Sequence, residues 1–82
     1  MRNLHYNLIF RSEPEGGFTV FVPALSGCIT YGKTLAEAKK MAKDAIEGYL
    51  EDVIADGEPI PEEISTYVTS IEIKSPLREA YA

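Results

Sequence analysis

The chain has one cysteine, Cys28, one histidine, His5, and no tryptophan in its 82 residues. A single thiol forms no intrachain disulfide and excludes a cysteine-built zinc cluster within one chain. No apolar run approaches the roughly 20 residues that cross a bilayer, and the opening Met1-Arg-Asn-Leu-His-Tyr6 has no apolar signal-peptide core. These absences predict a cytoplasmic protein with no membrane association.

Cations are also scarce, and unevenly so. From Asp44 through Glu72 the chain carries nine acidic residues (Asp44, Glu47, Glu51, Asp52, Asp56, Glu58, Glu62, Glu63, Glu72) and neither Lys nor Arg. The net charge of −5 opposes direct binding to nucleic acid, whose affinity rests on cations neutralising phosphates. A long segment of one sign instead attracts a basic partner.

What is present is an ordinary globular composition, 45% apolar and 26% charged, so a folded domain is expected. A domain of this size buries only about 60 to 65% of the surface its unfolded chain exposes, so its core is thin. Self-association, as a dimer or tetramer, is the expected remedy.

Leu4 to Phe10 alternates as a strand, with Tyr6, Leu8 and Phe10 on one face. The paired glycines of Glu13-Pro-Glu-Gly-Gly17 turn the chain into a second strand, Phe18 to Val22, giving an antiparallel hairpin. Pro23 and Gly27 redirect the chain, Cys28 to Tyr31 reads as a third strand, and Gly32 breaks it. Thr34 and Glu37 form a capping box. The helix then runs from about Leu35 to Asp56, with Leu35, Ala38, Ala42, Ala45, Tyr49 and Val53 in its inner stripe and Met41, Ile46 and Leu50 widening it.

Gly48 within that helix suggests a close backbone approach, and Gly57 with Pro59 and Pro61 ends it. Ser65 to Lys74 reads as a last strand, in which Tyr67, Thr69, Ile71 and Ile73 alternate with Val68, Ser70, Glu72 and Lys74. The fold class is α+β: a single small domain of β-β-β-α-β order, an antiparallel sheet under one helix layer. Residues 1–74 make up the domain and 75–82 a short tail. Phe18, Phe21, Ile29 and Ile71 are shared between two sheet faces, which favours covering the open face by self-association.

Several pieces in fixed order carry a resemblance: Glu15-Gly-Gly-Phe18, Pro23-Ala-Leu-Ser-Gly-Cys28, Gly32-Lys-Thr34, Glu37-Ala38, Ala42, Ala45 and Asp56-Gly-Glu-Pro-Ile-Pro61. Over roughly residues 4 to 74 the chain resembles the HicB-like antitoxins. The resemblance implies a degraded ribonuclease-H-like fold without nuclease activity. It also implies a partner, a small basic HicA-like toxin that cleaves messenger RNA and is neutralised by direct binding. Ser26 stands where that family usually has proline, which loosens the loop but keeps the glycine that turns it. The residues after Ile73 are too few for the DNA-binding segment many members carry, so direct DNA binding is not expected.

Cys28 could serve as a nucleophile with His5 as its base, but nothing in the sequence brings them together or supplies an orienting third group. Residual magnesium-dependent ribonuclease chemistry would need converging carboxylates, and the first two strands contain none. A non-enzymatic protein without cofactor, catalytic residue or metal site is therefore expected. Glu47, Glu51, Asp52 and Asp56 at the helix C-terminal half oppose the macrodipole preference, so local stability did not select them. They are the candidate partner-binding residues. An orphan oligomeric scaffold or small-ligand binder of the same fold is the alternative reading.

Overall fold

The computed structural model describes residues 3–63 and 65–77. Strands Ile9–Ser12 (β1), Phe18–Phe21 (β2) and Ile29–Gly32 (β3) form an antiparallel sheet in the order β1-β2-β3, followed by the helix Leu35–Ala55 (α1). The hairpin turn is closed by Glu13 N–H donating to the Gly17 carbonyl and Gly16 N–H donating to the Glu13 carbonyl, both at 3.0 Å. Gly16 and Gly17 sit at φ +104° and +81°, backbone conformations that a side chain would disfavour.

The Pro23–Gly27 connection is a compact loop. Val22 N–H donates to the Cys28 carbonyl at 3.1 Å, and Leu25 N–H to the Val22 carbonyl at 3.0 Å. This turns Leu25 inward, where it is buried with Val22 and Cys28 against Tyr6, Ala45, Ile46, Tyr49 and Leu50. A second cluster joins Val20 of β2 to Ala38 and Ala42 of α1, with Leu8, Phe10 and Phe18 around it. Alanine at both helix positions lets the helix axis approach the sheet closely.

The helix is capped at both ends. Thr34 Oγ1 accepts the Glu37 N–H at 3.0 Å, and the Glu37 carboxylate accepts the Lys33 N–H at 3.1 Å, one residue before the N-cap. At the other end Gly57 N–H donates to Ile54 and Glu58 N–H to Val53, both at 3.0 Å, which is the Schellman pattern with Gly57 at φ +72°.

The structure corrects four expectations. The first ladder begins at Ile9, so residues 4–8 carry the predicted alternation without pairing to β2. Gly32 pairs with Phe18 as the last residue of β3 and does not break it. Leu35 and Met41, read as inner-face residues, are exposed because α1 is seated on Ala38 and Ala42. The predicted strand from Ser65 to Lys74 is not part of the sheet formed by the described residues, and its apolar side chains Tyr67, Val68, Ile71 and Ile73 are exposed instead of packed on a sheet face. The α+β domain of three antiparallel strands followed by one helix is otherwise as expected.

Candidate functional site

Val20 faces α1, so its neighbours Thr19 and Phe21 point to the other side of the sheet. Register then places Ile9, Phe21 and Ile29 in one cross-strand row on that outer face. Beside the row, the Arg11 guanidinium lies 5.1 Å from the Phe21 ring centroid. Its Nε donates to Glu13 Oε1 at 3.0 Å, and Thr19 Oγ1 donates to Glu13 Oε2 at 3.1 Å. The hydrogen bond from Arg11 holds the Glu13 carboxyl below the usual glutamate range, and the same bond raises the Arg11 guanidinium.

The row ends at Ile29, which is 57% exposed and forms one wall of a shallow depression of about 440 Å³ with Gly27 and Cys28. Asp44, Gly48, Glu51 and Asp52 of α1 form the facing wall. Asp44, Gly48 and Asp52 recur every fourth residue and so share a helix face. That spacing is visible in the sequence, whereas charge alone groups Glu47 and Asp56 with Glu51 and Asp52. A Cβ on Gly48 would meet nothing within 4 Å, so the close approach expected there does not occur within the chain. The glycine instead leaves the floor of the depression open.

The four candidate partner-binding acids are all exposed, but they do not form one patch. Glu51 and Asp52 border the depression, whereas Glu47 lines a separate groove of about 940 Å³ between residues 3–8 and α1. Asp56 is the helix C-cap, its N–H donating to the Asp52 carbonyl at 3.0 Å.

His5 and Cys28 line these two different concavities and form no pair. Burial pushes the Cys28 thiol above its ordinary range, opposite to what activates a nucleophile. Among the described residues no group of three or more His, Cys, Asp or Glu is placed to hold a metal ion. No helix among them is long and apolar enough to cross a membrane.

Fold and surface together define a small α+β domain with an exposed face that is apolar along the sheet and acidic where it meets the helix. Residues 6–77 match the model of the HicB-like antitoxin of bacterial toxin-antitoxin systems. A UPF0150 protein of Synechocystis is 39% identical over 59 residues, covering 72% of this chain and 75% of that protein. A UPF0150 protein of Thermoplasma acidophilum is 38% identical over 66 residues, covering 80% and 96%. Antitoxin HicB of Escherichia coli K12 is 31% identical over 72 residues, covering 85% of this chain but 52% of the antitoxin. The chain belongs to the HicB-like antitoxin family. It therefore spans about half the length of the curated antitoxin it matches in Escherichia coli.

Proposed function

We propose that this protein is a cytoplasmic, non-enzymatic antitoxin that binds and neutralises a small basic toxin that cleaves messenger RNA. The observation that carries this reading is the depression in which Asp44, Glu51 and Asp52 face the exposed Ile29. An apolar anchor beside carboxylates that make no ion pair among the described residues suits a cationic protein surface: the apolar contact gives affinity, and the carboxylates steer the approach. Those carboxylates compete for the cations with which such a toxin would hold RNA phosphates. Within this reading the ribonuclease-H-like ancestry supplies a scaffold and no hydrolysis.

The test is to purify the chain with the product of the adjacent reading frame, where a short basic protein is expected. A complex that weakens as salt rises and restores growth to toxin-expressing cells supports the reading. Failure to bind that protein at low salt overturns it.

A further inference from the structure

One stripe of α1 is turned away from Ala38 and Ala42, the residues that seat the helix on the sheet. Ala36, Lys40, Lys43, Glu47, Leu50 and Ile54 recur at alternating intervals of four and three residues, the spacing that lines up one face of a helix for contact with another helix. All are exposed except Leu50, which is partly buried, and Ile54 reaches 60% exposure. From Ala36 to Leu50 the same stripe forms the helix side of the groove of about 940 Å³. There is room beside it for a second element.

About position 45 the stripe is its own complement. In an antiparallel pairing centred there, Ala36 stands opposite Ile54 of a second copy, Lys40 opposite Leu50, and Lys43 opposite Glu47. Each match is favourable: a small residue admits a large one, a lysine stem covers a leucine, and a cation meets a carboxylate. A parallel pairing in register would set lysine against lysine and glutamate against glutamate.

Charge on the single chain points the same way. Among the described residues the only ion pair joins Arg11 to Glu13, so Lys40, Lys43 and Glu47 have no ionic partner there. Lys39, Lys40 and Lys43 occupy the N-terminal half of α1 and Glu47, Glu51 and Asp52 the C-terminal half, with no basic residue in the last turn. This is the reverse of what the helix macrodipole favours. Antiparallel pairing lays each basic half beside the other copy's acidic half, where the opposed dipoles also offset each other. A second copy therefore supplies the counter-charges that the single helix lacks.

We propose that two copies of this chain associate through the stripe, α1 against α1 and antiparallel, with a twofold axis at the level of Ala45. The same surface serves both copies, so the contact closes as a dimer. The helix axes would lie about 8 to 10 Å apart. Asp44 and Asp52 lie off the stripe, which leaves the depression beside Ile29 open to a toxin. The assembly itself needs none, and it leaves the outer sheet face uncovered.

Two measurements test it on the full chain. Sedimentation equilibrium at high micromolar concentration is expected to give twice the 9.1 kDa chain mass. Lys43→Glu is expected to weaken the dimer at least about tenfold, because symmetry sets like charges opposite each other twice, and adding Glu47→Lys is expected to restore it. Both residues are exposed, so the helix signal in circular dichroism is kept. For the second measurement, chains with Ala36→Cys are mixed with chains with Ile54→Cys and oxidised. A disulfide joining positions 36 and 54 is expected in the mixture and none between two like chains, whose matching positions then stand roughly 27 Å apart along the helices. A monomer overturns the proposal, as does a dimer that forms no such disulfide. A dimer that Lys43→Glu leaves unchanged, or that the double exchange does not restore, overturns it too.

Discussion

Gly32 of β3 lies so close to Ala38 of α1 that a Cβ on the glycine would collide with the alanine backbone nitrogen and Cα. The obstacle is helix backbone, which cannot rotate aside as a flexible side chain can. Both Ala38 and Gly32 are buried, and Ala38 belongs to the cluster around Val20. The helix is therefore seated on the sheet by two small residues, and every surface feature along α1 inherits its position from that contact. Gly32→Ala is expected to destabilise the fold by about 1 to 3 kcal/mol through overpacking. A lower urea midpoint at unchanged slope would register it, and an unchanged midpoint would mean that helix and sheet are less tightly seated than their spacing implies.

Gly48 gives the opposite expectation. It stands inside α1 with open space where a Cβ would be, so Gly48→Ala should stabilise the isolated protein by about 1 kcal/mol through helix propensity. If the depression it floors receives a partner, the same substitution weakens that complex. Thermal unfolding and partner titration on one variant therefore move in opposite senses. Loss of stability in the free protein would contradict the open environment.

The contrast between these glycines shows what can be read from a sequence and what cannot. Thr34, Glu37 and Gly57 announce the helix ends because capping is local chemistry between residues a few positions apart. Alternation in Phe18 to Val22 announces β2 and its buried face for the same reason. Whether a helix glycine meets backbone or solvent is decided by docking between distant elements, and Gly32 and Gly48 take the two outcomes. Residues 65–74 show the limit again: their period of two is legible, but strand pairing needs an edge that no local pattern specifies. The acids of α1 were legible as charge. Their division between two concavities depends on how α1 is rotated on Ala38 and Ala42.

Cys28 provides a pH test. Burial raises its thiol pKa in the folded state, so the unfolded chain loses this proton at lower pH than the folded chain does. Below the unfolded value, near 8.5, the contribution is fully present. As pH rises from there through the folded value, the unfolded state binds fewer protons and stability falls. Cys28→Ala should flatten this alkaline loss, although it also removes some packing at neutral pH. Urea midpoints between neutral and alkaline pH check the slope; an identical slope in the variant would show that Cys28 is not its source.

Glu13 titrates in the other direction. The hydrogen bond from Arg11 lowers its folded-state pKa, so its stabilisation is present above the ordinary glutamate value and is lost as pH falls through the folded one. A carboxyl titration followed by NMR should place Glu13 below the ordinary glutamate value, and Arg11→Gln should raise it. Because the pair lies at the surface, the shift is also expected to shrink with added salt.

Charge reversal separates the acids of α1 by function. Glu51 and Asp52 border the depression beside Ile29, whereas Glu47 lines the separate groove between residues 3–8 and α1. Glu51→Lys with Asp52→Lys should weaken the complex with a basic toxin at least tenfold and reduce its sensitivity to salt, since a like-charge contact replaces a steering one. Glu47→Lys should leave toxin affinity within about twofold, because steering is screened over about 8 Å at physiological ionic strength. All three residues are exposed, so none of these changes should alter the helix content of the free protein. Equal losses from Glu47→Lys and from the double reversal would mean that the partner reads the net charge of the helix. The depression would then have no special standing, and contact would spread along the whole acidic half of α1.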